Sequence, residues 1–525
     1  MLPRMLATKG LAAPLPAEEA ENVAARLSQA TGWRPYAQSI AAVQHVVVFL
    51  ARRGNEKRLC LLWKADSQPD LLSDFCGERL TAAVGDLKLE VQAGYLDHTN
   101  AAGLRKHLPF LQPQVIGVRP TVGTGDRLGL ATPAHVRAVR GSGLRPIFAQ
   151  QSIREMTRTG RTPDDVMDTA VFGVFEEGYR DGFGADADHL KNADDIDATV
   201  AAGFTLFTID PGDHVDNAAQ AADMDLLRDK LAALPWPALK INSEDLCRRF
   251  IGQSCHLPDD SVVTLDEEAF FRAAAKYGRA LAHTARMYRH VKAKMGARPF
   301  ELEMSVDETA TPTSVAEHVF VASELRRLGV EWVSLAPRFV GEFEKGVDYI
   351  GDLKEFERTF AQHVAVAQHF GPYKISIHSG SDKFSIYPIA ARLAGELVHL
   401  KTAGTSYLEA LRAIARIDPG LFREIMGFAI ERYPEDRASY HVSADPAKVP
   451  SPDSLGDAEL PGILDQFDTR ETLHVTFGSV LTAETNGEPR FRDRLLGALS
   501  SNEEVHYETV RAHIERHVRP FVQAG

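Results

Sequence analysis

From Val115 onward the chain repeats one unit: a short apolar run, a polar or glycine-rich cluster, then a helical pattern. The runs are "VIGVRPTVGTGDRLG", "RPIFAQQS", "GFGADADHLK", "FTLFTIDPGDH", "FELEMSVDETA", "EWVSLAPRFVG", "YKISIHSGSDK" and, with the weakest pattern, "VHLKTAG". Strands that alternate with helices pair in parallel through right-handed crossovers. Eight such units close a barrel of roughly 250 residues. The expected fold class is α/β, a (β/α)8 TIM-type barrel.

The rest of the chain is arranged around that unit. Residues 1–112 read as a separate N-terminal α+β domain: a helical pattern from Glu18 to Gln29 precedes "AAVQHVVVFLARRGNEKRLCLLWKA", a hairpin signal. Pro109 and Pro113 mark a linker. The barrel is expected over 113–430. Its fourth unit is oversized, which predicts an insertion at about 213–299 capping the barrel. Residues 431–525 read as a mostly helical C-terminal extension. Thr162-Pro163-Asp164-Asp165 predicts a capped helix start, and "AEHVFVASELRRLG" a helix ending at Gly329.

Composition narrows the function. The net charge of −13 argues against nucleic acid as a partner, because phosphate backbones are held by clustered Lys and Arg. No apolar run approaches the roughly 18 residues that cross a bilayer, so no membrane partner is expected. Early Lys9, Gly10 and two prolines break a signal-peptide core, and four scattered cysteines suit a reducing compartment. The expected location is the cytoplasm and the expected partner a small molecule; oligomeric state is not readable. Cys247 and Cys255-His256 lack a second close pair and read as ordinary thiols rather than a zinc site.

In such a barrel the residues just after each strand converge on one pocket. This collects Asp188, His189 and Lys191 from strand three, and Asp210, Asp213 and His214 from strand four. Strand five adds Glu301, Glu303, Asp307 and Glu308, strand six Arg338, and strand seven His378, Ser379, Asp382 and Lys383. The Ser379–Lys383 turn opens a helix, where backbone N–H groups favour an anion. His189, His378 and His318 reaching one mouth would suit a divalent ion such as Zn²⁺, Mn²⁺ or Fe²⁺. The competing readings are a core histidine for His378 and a surface helix histidine for His318; His214 is a weaker ligand candidate. Glu301 and Glu303 lie two apart and share a face. Asp188 and Glu303 can flank a substrate from different sides, with pKa values pushed apart.

The runs "GFGADADHLK", "SVDETATPTSVAEH", "SLAPRFVGEFEKGVDYIGD" and "YKISIHSGSDKFSIYPI" resemble those of the bacterial tagaturonate epimerase family, over roughly residues 115–430. The resemblance implies a divalent-metal enzyme that interconverts D-tagaturonate and D-fructuronate in hexuronate catabolism. It implies His189 and His378 as metal ligands with His318 as third, and Asp188 and Glu303 as proton acceptor and donor in an unassigned order. It further implies Arg338, Lys191, Ser379 and Lys383 as the groups that hold the uronate. The inverted carbinol carbon is β to the ketone, which favours a retro-aldol route over α-proton removal. The alternatives are a metal-dependent aldolase on a sugar acid or sugar phosphate, which releases fragments, and a non-catalytic sugar-acid sensor.

Overall fold

A computed structural model of the chain, which describes residues 1–522, contains a closed barrel of eight parallel strands paired in chain order. The strands are β1 (Thr121–Gly123), β2 (Arg145–Ser152), β3 (Gly184–Leu190), β4 (Leu206–Ile209), β5 (Glu301–Ser305), β6 (Ser334–Ala336), β7 (Lys374–Ile377) and β8 (Val398–Lys401). All eight fall on the apolar runs of the sequence, including the weakest. Each is buried on both faces, as parallel strands under a helix layer must be.

The helix layer includes α1 (Thr132–Val139), α2 (Pro163–Glu176), α3 (Ala193–Ala202), α4 (Glu267–Met295), α5 (Val315–Arg327), α6 (Leu353–Phe370) and α7 (Tyr387–Ala394). The capping box of Thr162 and Asp165 opens α2, and α5 ends just before Gly329, both as the residues predict.

The eighth place in the ring is filled from an unexpected part of the chain. The helix α8 (Thr405–Ile417) that follows β8 is not in the wall; with the helices after it, among them α9 (Phe467–Val475), it forms a second apolar core. The last helix, α10 (Glu503–Val522), returns and packs between α7 and α1. Its Tyr507, Val510, Ile514 and Val518 join the barrel core. Residues assigned from sequence to a separate extension therefore complete the barrel wall. Ile514 is fully buried there, so Ile514→Ala is expected to cost about 2–5 kcal/mol of unfolding free energy. Denaturant titration would measure this, and a loss below ~1 kcal/mol would mean that the wall does not depend on α10.

The insertion also departs from expectation. Most of it, from Met224 to Thr264, packs on the outside against α4 and α5 and does not cap the barrel. Only its first turns reach the mouth, where Asn217 accepts a hydrogen bond from the Ala310 N–H at 2.9 Å. Long α4 belongs to the wall itself.

The N-terminal unit is an antiparallel sheet with a helix, Ala17–Thr31, on one face. In the strand Val46–Arg53, Val46, Val48 and Leu50 face the barrel while Val47, Phe49 and Ala51 face that helix, the period-two pattern of a two-sided sheet. The predicted hairpin turns at Gly54, whose φ of +61° is open to glycine at no steric cost. Among the described residues no helix is long and apolar enough to cross a membrane.

Candidate active site

The C-terminal ends of the strands open into a cavity of about 380 Å³, lined in part by Arg154, Asp307, Glu308, Arg338, Lys345, His378, Ser379, Tyr440 and His441. A tighter lobe of about 50 Å³ continues to Asp188, His189 and Lys401. Arg154, Lys345, His378, Ser379 and Tyr440 line both lobes.

At their junction two imidazoles meet. His189 Nε2 and His378 Nδ1 lie 3.3 Å apart. The other nitrogen of each ring is held by a carboxylate: His189 Nδ1 is 3.2 Å from Asp210, and His378 Nε2 is 2.6 Å from Glu303. Burial would raise the Asp210 and Glu303 carboxyls, but their positive neighbours, His189 for the first and Lys401 for the second, hold both below the usual range. They are therefore ionised acceptors, and each ring's outer N–H donates to its carboxylate. When both rings are neutral the two facing nitrogens carry lone pairs aimed at one another; when His378 is protonated its Nδ1, 3.3 Å from Asp307, has that carboxylate as a partner. Asp188 Oδ1 is 3.9 Å from His189 Nε2, and Asp188, His189 and His378 together can hold a metal ion. Burial would lower the pKa values of both rings. For His378 nearby Lys401 adds to that fall, yet the acids around the rings, led by Asp188 and Asp307, raise them to about 10 for His189 and about 9 for His378. The site attracts positive charge, as a proton or as a cation.

Local backbone explains how neighbouring residues reach the same mouth. Successive strand residues face opposite sides, yet both Asp188 and His189 line the cavity. The β3–β4 register gains one residue on β3 between Ala187 and Leu190, a bulge that re-aims the side chain. His189 also has φ +53° and Ser379 φ +49°, left-handed conformations that cost roughly 1–3 kcal/mol and gather at functional sites.

Beneath this mouth lies a residue that the sequence reading passed over. Lys401, at the end of β8, places its ammonium 2.8 Å from each of Asp186, Asp188 and Glu303. Burial opposes the Asp188 charge, but Lys401 first and His189 next keep that carboxyl ionised. Asp186, fully buried beside two other carboxylates, is pushed up by burial to about 6. The only signal for Lys401 was its place at the end of the weakest apolar run.

Several expected residues sit elsewhere. His318 is not a third ligand at this mouth: it lies fully buried in the helix layer, 2.9 Å from His363 and 2.7 Å from the Tyr373 hydroxyl, and burial holds it far below its ordinary pKa. Neither the surface nor the ligand reading fits; it is a satisfied core histidine. Glu303 does not line the cavity. It stands below His378 and braces that ring, while the β5-side carboxylates that do line the cavity are Asp307 and Glu308. Lys383 is buried with its ammonium on the carbonyls of Glu344 (2.7 Å), Val347 (2.5 Å) and Ser381 (3.1 Å), so it has no donor to offer a ligand. Lys191 lies at the rim, paired with Asp210 at 3.8 Å and Asp213 at 3.3 Å. Ser379 and Arg338 do line the cavity. His214 stacks on His283 outside it. Asp382 forms a separate buried group with His513 and His517, but Arg470 sits 3.0 Å from its Oδ2 and already fills the cation's role.

A family model described as tagaturonate epimerase matches residues 36–521, well beyond the span that the motifs alone suggest. The tagaturonate/fructuronate epimerase of Thermotoga maritima is 48% identical over 422 residues, covering 80% of this chain and 85% of that protein. Two solved structures of the fructuronate-tagaturonate epimerase UxaE from Cohnella laeviribosi, one native and one with a single glycerol, match at a TM-score of 0.87 and 36% identity. They cover 96% of this chain and 99% of theirs. An agreement that runs through the N-terminal sheet, the barrel and the returning last helix makes this chain a member of the tagaturonate epimerase family, an epimerase of the isomerase class.

Proposed function

We propose that the enzyme interconverts D-tagaturonate and D-fructuronate with the help of a divalent metal ion and by retro-aldol chemistry. The observation that carries this reading is the pair of carboxylate-backed imidazoles facing each other at the cavity junction. The donor set fits a borderline ion of the Zn²⁺ or Mn²⁺ type: a carboxylate on the far nitrogen of a ligating histidine sets its tautomer and raises its basicity. His189 and His378 would hold the ion, with Asp188 adjoining. Bound there, it would supply Lewis-acid stabilisation of negative charge growing on the ketone oxygen.

The side chains then divide the remaining work. Asp188 Oδ1 is committed to Lys401 at 2.8 Å, whereas Oδ2 keeps only a long contact to Gln150 at 3.4 Å. Oδ2 therefore has the capacity to accept the hydroxyl proton from the carbon β to the ketone. The adjoining C–C bond breaks to an aldehyde and an enediolate, the aldehyde turns within the cavity, and the bond re-forms on its other face. The new alkoxide takes back the proton that Asp188 had accepted, so that no net proton is gained or lost. The larger lobe carries Arg154, Arg338 and Lys345 beside Asp307, Glu308 and Glu342, a polar lining that suits a hydroxyl-rich sugar acid. Metal-loaded protein incubated with D-tagaturonate should yield D-fructuronate by NMR, with the same mixture reached from either sugar. Accumulation of three-carbon fragments would show an aldolase instead.

A further inference from the structure

The cations along the cavity are mostly spoken for. Arg127 pairs with Glu155 at 2.6 Å, Arg154 with Glu308 at 3.1 Å, Arg338 with Glu342 at 3.7 Å, and Lys401 with three carboxylates. Lys345 differs. Its ammonium donates to the Ser379 hydroxyl, and among the described residues no carboxylate pairs with it. It lines both lobes and so stands at the junction beside His378. A cation held in a cavity against a neutral hydroxyl leaves a charge that an anionic ligand can satisfy.

The backbone that presents Lys345 is unusually well held. Lys383, buried behind it, donates to the carbonyls of Glu344 and Val347, on either side of Lys345. Arg470 Nε donates to the carbonyl of Gly346 at 2.6 Å, and Arg470 is itself fixed by Asp382 at 3.0 Å and Glu409 at 3.1 Å. Gly346 has φ +74°, and a Cβ there would stand 3.1 Å from the His474 ring. Two buried cations thus fasten residues 344–347, and only the Lys345 side chain is left to reach into the cavity.

We propose that Lys345 takes the carboxylate of the substrate and sets the preference for a sugar acid over a neutral ketohexose, with Lys383 as a positioning residue acting through the 344–347 loop. This rests on the sugar-acid reading above. The test is calorimetric binding of D-tagaturonate and D-tagatose to metal-loaded wild type, Lys345→Met and Lys345→Arg, which needs no turnover. Lys345→Met should lose about ten- to hundredfold in affinity for the acid, as for a lost charge-assisted hydrogen bond, and less than about twofold for the neutral sugar. Lys345→Arg should recover part of the acid preference. An unchanged ratio of the two affinities, an equal loss for both sugars, or a wild type without acid preference would overturn the assignment. Turnover by wild type separates this from the proposed function: no epimerisation despite a Lys345-dependent preference defeats only the latter, and epimerisation with an unmoved ratio defeats only the former.

Discussion

If His189 and His378 hold a divalent ion as proposed, His378→Ala is expected to reduce epimerisation by more than ~10²-fold and to leave the dialysed protein without bound metal. His378 supplies one of the two facing nitrogens, and Glu303 fixes its ring at 2.6 Å. His318, the third histidine that the sequence offered, cannot take over, because it is engaged with His363 and Tyr373 in the helix layer. Elemental analysis of wild type and variant reads the metal directly, apart from activity. Glu303→Gln should show the weaker form of the same defect, roughly 10–100-fold in metal affinity or activity, since it removes the charge that backs the ring and leaves the ring in place. Chelation should silence the wild type, and Mn²⁺ or Zn²⁺ should restore it. A metal-free preparation with full activity would defeat both the ligand assignment and the metal dependence.

Asp188→Asn is expected to lower turnover by at least ~10²-fold while sugar binding survives, because an amide cannot accept the hydroxyl proton. Lys401 keeps Asp186 and Glu303 at 2.8 Å in the variant, so the centre of the barrel retains its counter-charges. The companion measurement is epimerisation in D₂O. A retro-aldol path never breaks the C–H bond of the inverted carbon, so that carbon should stay unlabelled. Stoichiometric deuterium there would show direct deprotonation and remove the role assigned to Asp188 Oδ2.

Much of this architecture was legible in the residues. Each barrel strand lies on a mainly apolar run, because its helix-facing side chains are buried against apolar neighbours, while inward positions such as Asp186, Glu303 and Lys401 carry the charges. His189, His378 and Asp188 were legible for a related reason: side chains just past a barrel strand have one mouth to face. The α10 helix was not. Its amphipathic pattern records that one face is buried, but not which surface covers it, and the wall position between α7 and α1 was open to any apolar stripe that the chain could bring back.

By itself the sequence determined the barrel, its register of strand ends and the histidine-bearing mouth, since these follow from local periodicity and chain order. Only the tertiary structure decided the fate of individual charges. Lys383 and Lys345 are both lysines beside strand-end loops, yet one is buried on three backbone carbonyls and the other faces the cavity. Glu303 braces a ring, while Asp188, in the bulge of β3, reaches the cavity. Which of two like charges is buried and paired depends on groups brought together from distant parts of the chain. The cost of burying a charge is met only by partners that local sequence does not contain.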